Sequence, residues 1–468
     1  MVLGSRGGFT LQEARIDTSG GFIDAVDTAH PGAVPEGSEL VDLGGHLLTP
    51  AFVNAHSHLA LSFLRGVAQA AAKRSRNLVE DVFFRFESLL SADDVRAFAR
   101  MGAYESLLQG VGSVWDHYYQ GEAVAAALRD TGLSGVVAPT VQDLAGPGRS
   151  HWESALDATV RIAESQSLRE HGIAAALGPH ATDTVSPRLF RQLAELAEQH
   201  GLPVHLHVGQ SYDELRRIEA REGRSPLSLL AREGVLDRPP HVLMAHGIFV
   251  SDADLHALDP DRHTLAYCPS AQTRFAFPAP MPRWCALGVD WVVATDCAAG
   301  NDSMNLQKEL RLCAGASAAE TTASIPYRQF LKHGREDDAR EAWAEHRAQV
   351  SQLAEHVTAE RLLARVWQRP GSLHPSVKSG SIEPGFLANF VAWNTRHPTF
   401  WPARDPLCTL AMGDTTGAIH ALFVRGETIG ELGNVAGALL SSNAYGEALE
   451  EADRRLSLLL ARAGESTD

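Results

Sequence analysis

Between residues 51 and 296 the chain repeats one unit eight times: a short apolar run of strand length, in most cases followed by a stretch of helix length. The runs are AFVNA from 51, VGSVWD from 111, LSGVVAPT from 133, IAAALGPH from 173, LPVHLHV from 202, HVLMAHG from 241, TLAYCPS from 264 and VDWVVATD from 289. Strands that alternate with helices predict parallel β/α layering. Eight is the number of strands that closes a (β/α)8 TIM barrel. An open, doubly wound sheet is the competing arrangement. It calls for a glycine-rich phosphate turn after the first strand, where this chain has His56-Ser57-His58.

Helix signals fit the spaces between the runs. Ser91 caps a helix expected over Ser91–Gln109, with Asp93 and Asp94 in its first turn, where the helix dipole favours acids. Further helices are expected over Glu153–Glu170 and over Pro187–His200, the latter opened by a proline and closed by Gly201-Leu202-Pro203. Residues 1–50 and about 370–440 read instead as alternating strands split by Gly and Pro, which predicts one small composite β-sandwich built from both chain ends. The barrel is expected over 51–369, with a charged, alanine-rich helical insert at about 314–352 and a C-terminal helix within 441–468.

Composition narrows the function classes. Lys and Arg total 41 against 57 Asp and Glu, a formal charge of −16. Neither nucleic acid nor an anionic membrane surface is an expected partner, since both need a basic footprint. No apolar run approaches the roughly 18 residues of a membrane span, and the first residues carry no secretory pattern. The five cysteines include no C-x-x-C pair, which suits reduced thiols in a cytoplasm. A cytoplasmic enzyme acting on a small molecule fits all of this.

Among 21 histidines a lone H-x-H means little; position means more. His56 and His58 end the first run, where residues i and i+2 share a face. His207, His246 and Asp296 end the fifth, sixth and eighth runs. Every strand of a β/α barrel opens onto the same C-terminal face, so these five groups are expected to converge there. Burying Asp296 unpaired costs several kcal/mol. A nitrogen and carboxylate set of this kind suits zinc, and also iron or manganese.

Several ordered motifs carry a resemblance. LLTPAFVNAHSHLALSFLRG, DHYY at 116–119, GPHATDTVSP, HLHVGQS, MAHG, YCPSAQTRF, TDCAAGNDSMNLQKELR and SGSIEPGFLANFVAWN together resemble the amidohydrolase superfamily. The similar branch holds cytosine, guanine and S-adenosylhomocysteine deaminases and the triazine hydrolases. The resemblance implies one divalent metal ion, zinc before iron or manganese, with His56, His58, His207 and Asp296 as ligands. It implies His246 beside the metal and its water, and Asp296 as the group that takes the water's proton and passes it to the leaving nitrogen. His180 falls on a substrate-contacting histidine, and Glu87 on a substrate-contacting position of the nucleoside deaminases. His117 joins Gln210, His180 and Glu87 as a candidate substrate contact.

One departure shapes the substrate expectation. Family deaminases carry Glu three residues after the fifth-strand histidine, and here that residue is Gln210, an amide unable to transfer a proton. An amide, urea or carbamate bond, as in the similar phenylurea and molinate hydrolases, needs no ring-nitrogen protonation and is the first expectation. The alternative is an aminohydrolase of a purine, pterin or triazine-like ring; a non-catalytic binding protein on the same fold is the reading from another class. Arg274 and Asn301-Asp302 lie on barrel-top loops, and one of them is expected to touch substrate. The insert is a candidate contact for a homodimer or higher homo-oligomer.

Overall fold

The computed structural model describes residues 2–4, 9–27, 34, 36–67, 75 and 77–464. The outermost parts of the expected first and last units, residues 1 and 465–468, lie outside the described residues.

All eight apolar runs are strands. They are β1 (Phe52–Ser57), β2 (Val111–Tyr118), β3 (Ser134–Val141), β4 (Ile173–Ala175, resumed at Gly178–Pro179), β5 (Val204–Val208), β6 (Val242–His246), β7 (His263–Tyr267) and β8 (Trp291–Val293). Parallel ladders join β1 to β4 in one arc and β5 to β8 in another. Parallel bridges close the two arcs into a barrel: Leu177 with Val204 and Ala181 with His207 on one side, Ser57 with Asp296 on the other. These strands are buried throughout, which is why they read as near-continuous apolar runs.

Small side chains fill the barrel interior. Ala55, Ala138, Ala174, Ala176, Ala245, Ala266 and Ala294 surround the bulky Trp115. That filling leaves width at the C-terminal mouth for a ring of imidazoles. Gly178 opens the resumed part of β4, where a Cβ would lie 2.6 Å from the Pro139 carbonyl oxygen and 2.8 Å from that of Ala138. Only glycine lets β4 come this close to β3.

Helix α1 (Ala92–Leu108) starts at a capping box in which the Ser91 hydroxyl accepts from the Asp94 N–H and the Asp94 carboxylate accepts from the Ser91 N–H. The stretch expected as one helix over 153–170 is two, Trp152–Glu164 and Gln166–Glu170, because Ser165 leaves helical geometry and caps the second. Pro187–His200 is helical as expected, capped by Ser186 and ended by left-handed Gly201.

Strands from both ends of the chain share one six-stranded mixed sheet, in which Leu47–Pro50 lies between Val2–Gly4 and Phe390–Trp393. The hairpin Arg15–Ser19/Phe22–Asp27 packs over it through a cluster of Ile23, Leu48, Phe390 and Phe423. The insert expected as one helical segment at 314–352 is three helices, Ala316–Ala323, Ile325–His333 and Glu336–Leu353. Ser324 ends the first and caps the second, and left-handed Gly334 ends the second. The C-terminal helix Asn443–Ala463 lies against α1, where Arg462 reaches the buried Asp94 at 2.8 Å. No helix among the described residues is long and apolar enough to cross a membrane.

Candidate active site

The barrel closure brings the five strand-end residues together. His56, His58, His207, His246 and Asp296 are all buried at the C-terminal mouth. The His56 ring centre lies 4.8 Å from that of His58, 4.9 Å from His207 and 5.6 Å from His246. The Asp296 N–H donates to the His56 carbonyl at 3.1 Å. Its carboxylate Oδ1 stands 3.4 Å from His58 Nε2 and 3.9 Å from His56 Nε2. Ligand atoms of His56, His58 and Asp296, and those of His56, His207 and His246, fall within 4.8 Å of one another.

Hydrogen bonds set the tautomers. His58 Nδ1 meets the His117 carbonyl oxygen at 2.5 Å, and His207 Nδ1 meets that of His180 at 2.7 Å. A carbonyl oxygen only accepts, so each ring carries its proton on Nδ1 and turns the Nε2 lone pair inward. Those two Nε2 atoms face each other at 3.2 Å. Burial and the neighbouring ring hold His58 down at about 3, and burial holds His207 down at about 4, so both are neutral at pH 7. The buried Nε2 of His56 has no hydrogen-bond partner. Lone pairs that converge beside a carboxylate, without protons to share, are what a divalent cation requires of its ligands. The residues present therefore fit a metal ion.

Backbone strain marks the same spot. His246 and Asp296 adopt left-handed φ values of 82° and 61° without being glycine, a strained state that the surroundings must hold in place. The Asp296 Oδ1 accepts from the Cys297 N–H at 2.7 Å, and the His246 carbonyl accepts from Gln272 Nε2 at 3.2 Å. Burial pushes the Asp296 carboxyl up to about 7.

Around these groups lies a cavity of about 370 Å³. His117, His180, Gln210 and Glu87 all line it. His117 has Nε2 at 3.3 Å from the Pro179 carbonyl and Nδ1 at 3.1 Å from the Thr140 hydroxyl, and with His58 and His207 it forms a third group whose ligand atoms lie within 4.8 Å of one another. His180 donates Nδ1–H to Thr184 Oγ1 at 2.9 Å, which leaves Nε2 as an acceptor. Glu87 lies beside Tyr118, and burial pushes its carboxyl up to about 8, so it holds its proton at pH 7. The main chain at Gln210 is pinned by buried Glu214, whose Oε2 accepts the Gln210 N–H at 2.7 Å and whose Oε1 accepts the Gly209 N–H at 3.1 Å.

Asp213 also lines the cavity. Phe83, a buried core residue, and Phe84 are in its wall, and the Phe84 ring centre is 5.6 Å from that of His180. Arg274, Asn301 and Asp302 do not line it: Arg274 pairs with Asp302, and Asn301 Nδ2 bonds Glu309 at 2.8 Å. Sequence reasoning missed Tyr118, Asp183, Phe275 and Phe277 as cavity residues. Tyr118 ends β2 in the DHYY motif, Asp183 lies within GPHATDTVSP, and Phe275 ends both YCPSAQTRF and the helix Pro269–Phe275, so those motifs were the available signal; Phe277 sits on a loop with no pattern to mark it.

Imidazoles and a carboxylate gathered at the C-terminal mouth of a (β/α)8 barrel form a cluster that could hold a metal ion. Residues 47–332 match the amidohydrolase family profile, and the chain belongs to the amidohydrolase family. It is similar to a 5-methylthioadenosine/S-adenosylhomocysteine deaminase of Haloarcula marismortui, 30% identical over 422 residues that cover 89% of this chain and 87% of that one. In structure it is similar to an adenosine deaminase from Xanthomonas campestris with bound zinc, at TM-score 0.76 and 20% identity over 97% of this chain and 96% of that one. It is also similar to atrazine chlorohydrolase from Arthrobacter aurescens complexed with zinc, at TM-score 0.74 and 19% identity over 97% and 98%.

Proposed function

We propose that the chain is a zinc-dependent aminohydrolase that removes the exocyclic amine of a nitrogen heterocycle carrying a further substituent. The observation that carries the metal is the facing pair of Nε2 lone pairs on His58 and His207, 3.2 Å apart, beside Asp296. In this reading His56, His58, His207 and Asp296 hold one divalent ion. When bound, it supplies Lewis acidity that makes water nucleophilic near neutral pH. The substrate class rests on the deaminase relatives and on the cavity, whose aromatic walls of Phe83, Phe84, Tyr118, Phe249 and Phe275 suit a planar ring.

Asp296 takes the proton of the attacking water and delivers it to the departing nitrogen. His246, held over the centre by its strained backbone, hydrogen-bonds the developing tetrahedral carbon's oxygen. His180 Nε2 accepts a hydrogen bond from the substrate. Gln210 orients the ring and cannot protonate it. Glu87 is the cavity carboxyl that holds a proton at pH 7. His117 contributes a ring face.

A second reading is hydrolysis of an acyclic amide, urea or carbamate, and Gln210 favours it, because such a carbonyl needs no ring protonation. The same account treats 51–369 as the catalytic barrel, 1–50 with 370–440 as an accessory β unit and 441–468 as a C-terminal helix. Five free thiols support a cytoplasmic setting. Exposed Ile325, Leu331 and Trp343 support the insert as a subunit contact. The test is to incubate the zinc-loaded protein with aminopurine nucleosides, aminotriazines, ureas and carbamates and to identify products by mass. Ammonia with an oxo-heterocycle supports the aminohydrolase; a released substituted amine from an acyclic substrate replaces it with the second reading.

A further inference from the structure

The three histidines that turn Nε2 toward the centre are not oriented alike. His58 and His207 are held by main-chain carbonyls. His56 is held by a side chain: its Nδ1 lies 2.8 Å from Nε2 of His205, two residues before His207 on β5. His205 is buried, its ring stands edge-on to Trp115 at 5.7 Å and to His117 at 5.5 Å, and its Nδ1 has no hydrogen-bond partner.

A single proton lies between His56 Nδ1 and His205 Nε2. If it sits on His205, His56 must carry its own proton on Nε2 and cannot ligate. If it sits on His56, the Nε2 lone pair is free and His205 is the acceptor, with its own proton on the unpartnered Nδ1. Either tautomer leaves one buried N–H without a partner, on His56 Nε2 or on His205 Nδ1, an uncommon arrangement, so the hydrogen bonds alone favour neither and a cation at His56 Nε2 decides between them.

We infer that His205 is a positioning residue for metal binding: by accepting the His56 Nδ1 proton it fixes the one tautomer and ring orientation in which His56 is a ligand. The inference rests on the metal site of the proposed function. It identifies the H-x-H on β5 as one outer and one inner histidine, unlike the pair on β1, in which both face the centre. An outer partner of this kind sets ligand basicity and orientation, and its loss typically weakens metal binding 10- to 100-fold.

The test compares two near-isosteric replacements, His205→Gln, whose amide oxygen can accept the His56 proton, and His205→Met, which has no such acceptor. Zinc dissociation constants are measured on the full chain by competition with a chromophoric chelator, and metal-free melting curves report folding. Expected is a loss of zinc affinity of about 10-fold or more for His205→Met and within about 3-fold of the parent for His205→Gln, with similar metal-free melting. Unchanged affinity in His205→Met, or equal losses in both folded variants, overturns the inference. If His205→Met does not fold, a tenfold loss in His205→Gln overturns it and near-parental affinity supports it. A parent protein that binds no zinc refutes the metal site itself, an outcome distinct from a parent that binds zinc and variants that match it.

Discussion

His58 and His207 point Nε2 atoms at each other across 3.2 Å while each Nδ1 is bound to a carbonyl oxygen. Two neutral imidazoles in that arrangement have no proton to share between them. The contact is repulsive alone and becomes favourable once a cation lies between the lone pairs, so the mouth of the barrel is organised around a positive charge.

Metal should therefore stabilise the fold measurably. Zinc at a hundredfold excess over its dissociation constant is expected to add about 2.7 kcal/mol. Melting with and without a chelator reads this directly. His58→Ala and His207→Ala should lose most of the zinc-dependent shift together with activity; either variant keeping both in full contradicts the ligand assignment.

Asp296→Asn should keep the fold and lose the chemistry. Asn tolerates the left-handed backbone found at this position, φ 61°. The amide cannot accept the water's proton, so turnover should fall about 10²- to 10⁴-fold. Asp296→Ala carries the same loss and adds strain of about 1 kcal/mol, because alanine disfavours that backbone. Steady-state kinetics and denaturant unfolding separate the two effects.

Glu87 predicts a pH signature in stability. Burial raises its folded-state pKa from 4.5 to about 8. Between those values the unfolded chain has released this proton and the folded chain has not. Stability therefore falls as pH rises from about 4.5 to about 8 and levels off above, since the unfolded state binds fewer protons in that window. Glu87→Gln removes this group's share of the dependence and leaves that of Asp116, Glu214, Asp296 and Glu309, each raised to about 7 by burial. Relative to the parent it should gain on the order of 1 kcal/mol or more between pH 5 and pH 8. Parallel unfolding curves for both proteins across that range would show Glu87 to be ionised in the fold.

Gln210→Glu sorts the two substrate readings. On an aminoheterocycle the added carboxyl should raise kcat/KM about tenfold or more, by supplying ring protonation. On a urea or carbamate it should bring no gain. A variant that improves only acyclic turnover runs against both lines of reasoning.

Much of this was legible in the sequence because strand ends in a closed barrel share one face. His56, His58, His207, His246 and Asp296 each end an apolar run, and parallel closure alone brings them together. Local signals also told where helices begin: Ser91 and Ser186 each cap one. The break at Ser165 was not legible, since a serine inside a helical pattern reads equally as a surface residue or as a cap. Nor was the close approach of β4 to its neighbour β3 at Gly178, a tertiary contact that periodicity does not encode. His205 and His207 looked equivalent in sequence; only the pairing of β5 across the barrel shows one facing the centre and the other facing His56. Which residues reach the cavity, such as Asp183 on a turn and Phe275 at the end of the helix Pro269–Phe275, follows from tertiary placement that periodicity does not encode.

The most direct test of the central claim is elemental analysis of the purified chain beside its His58→Ala and His207→Ala variants. The account predicts about one divalent metal ion per parent chain and a large loss in each variant. A parent chain that hydrolyses its substrate at full rate with no bound metal would contradict it.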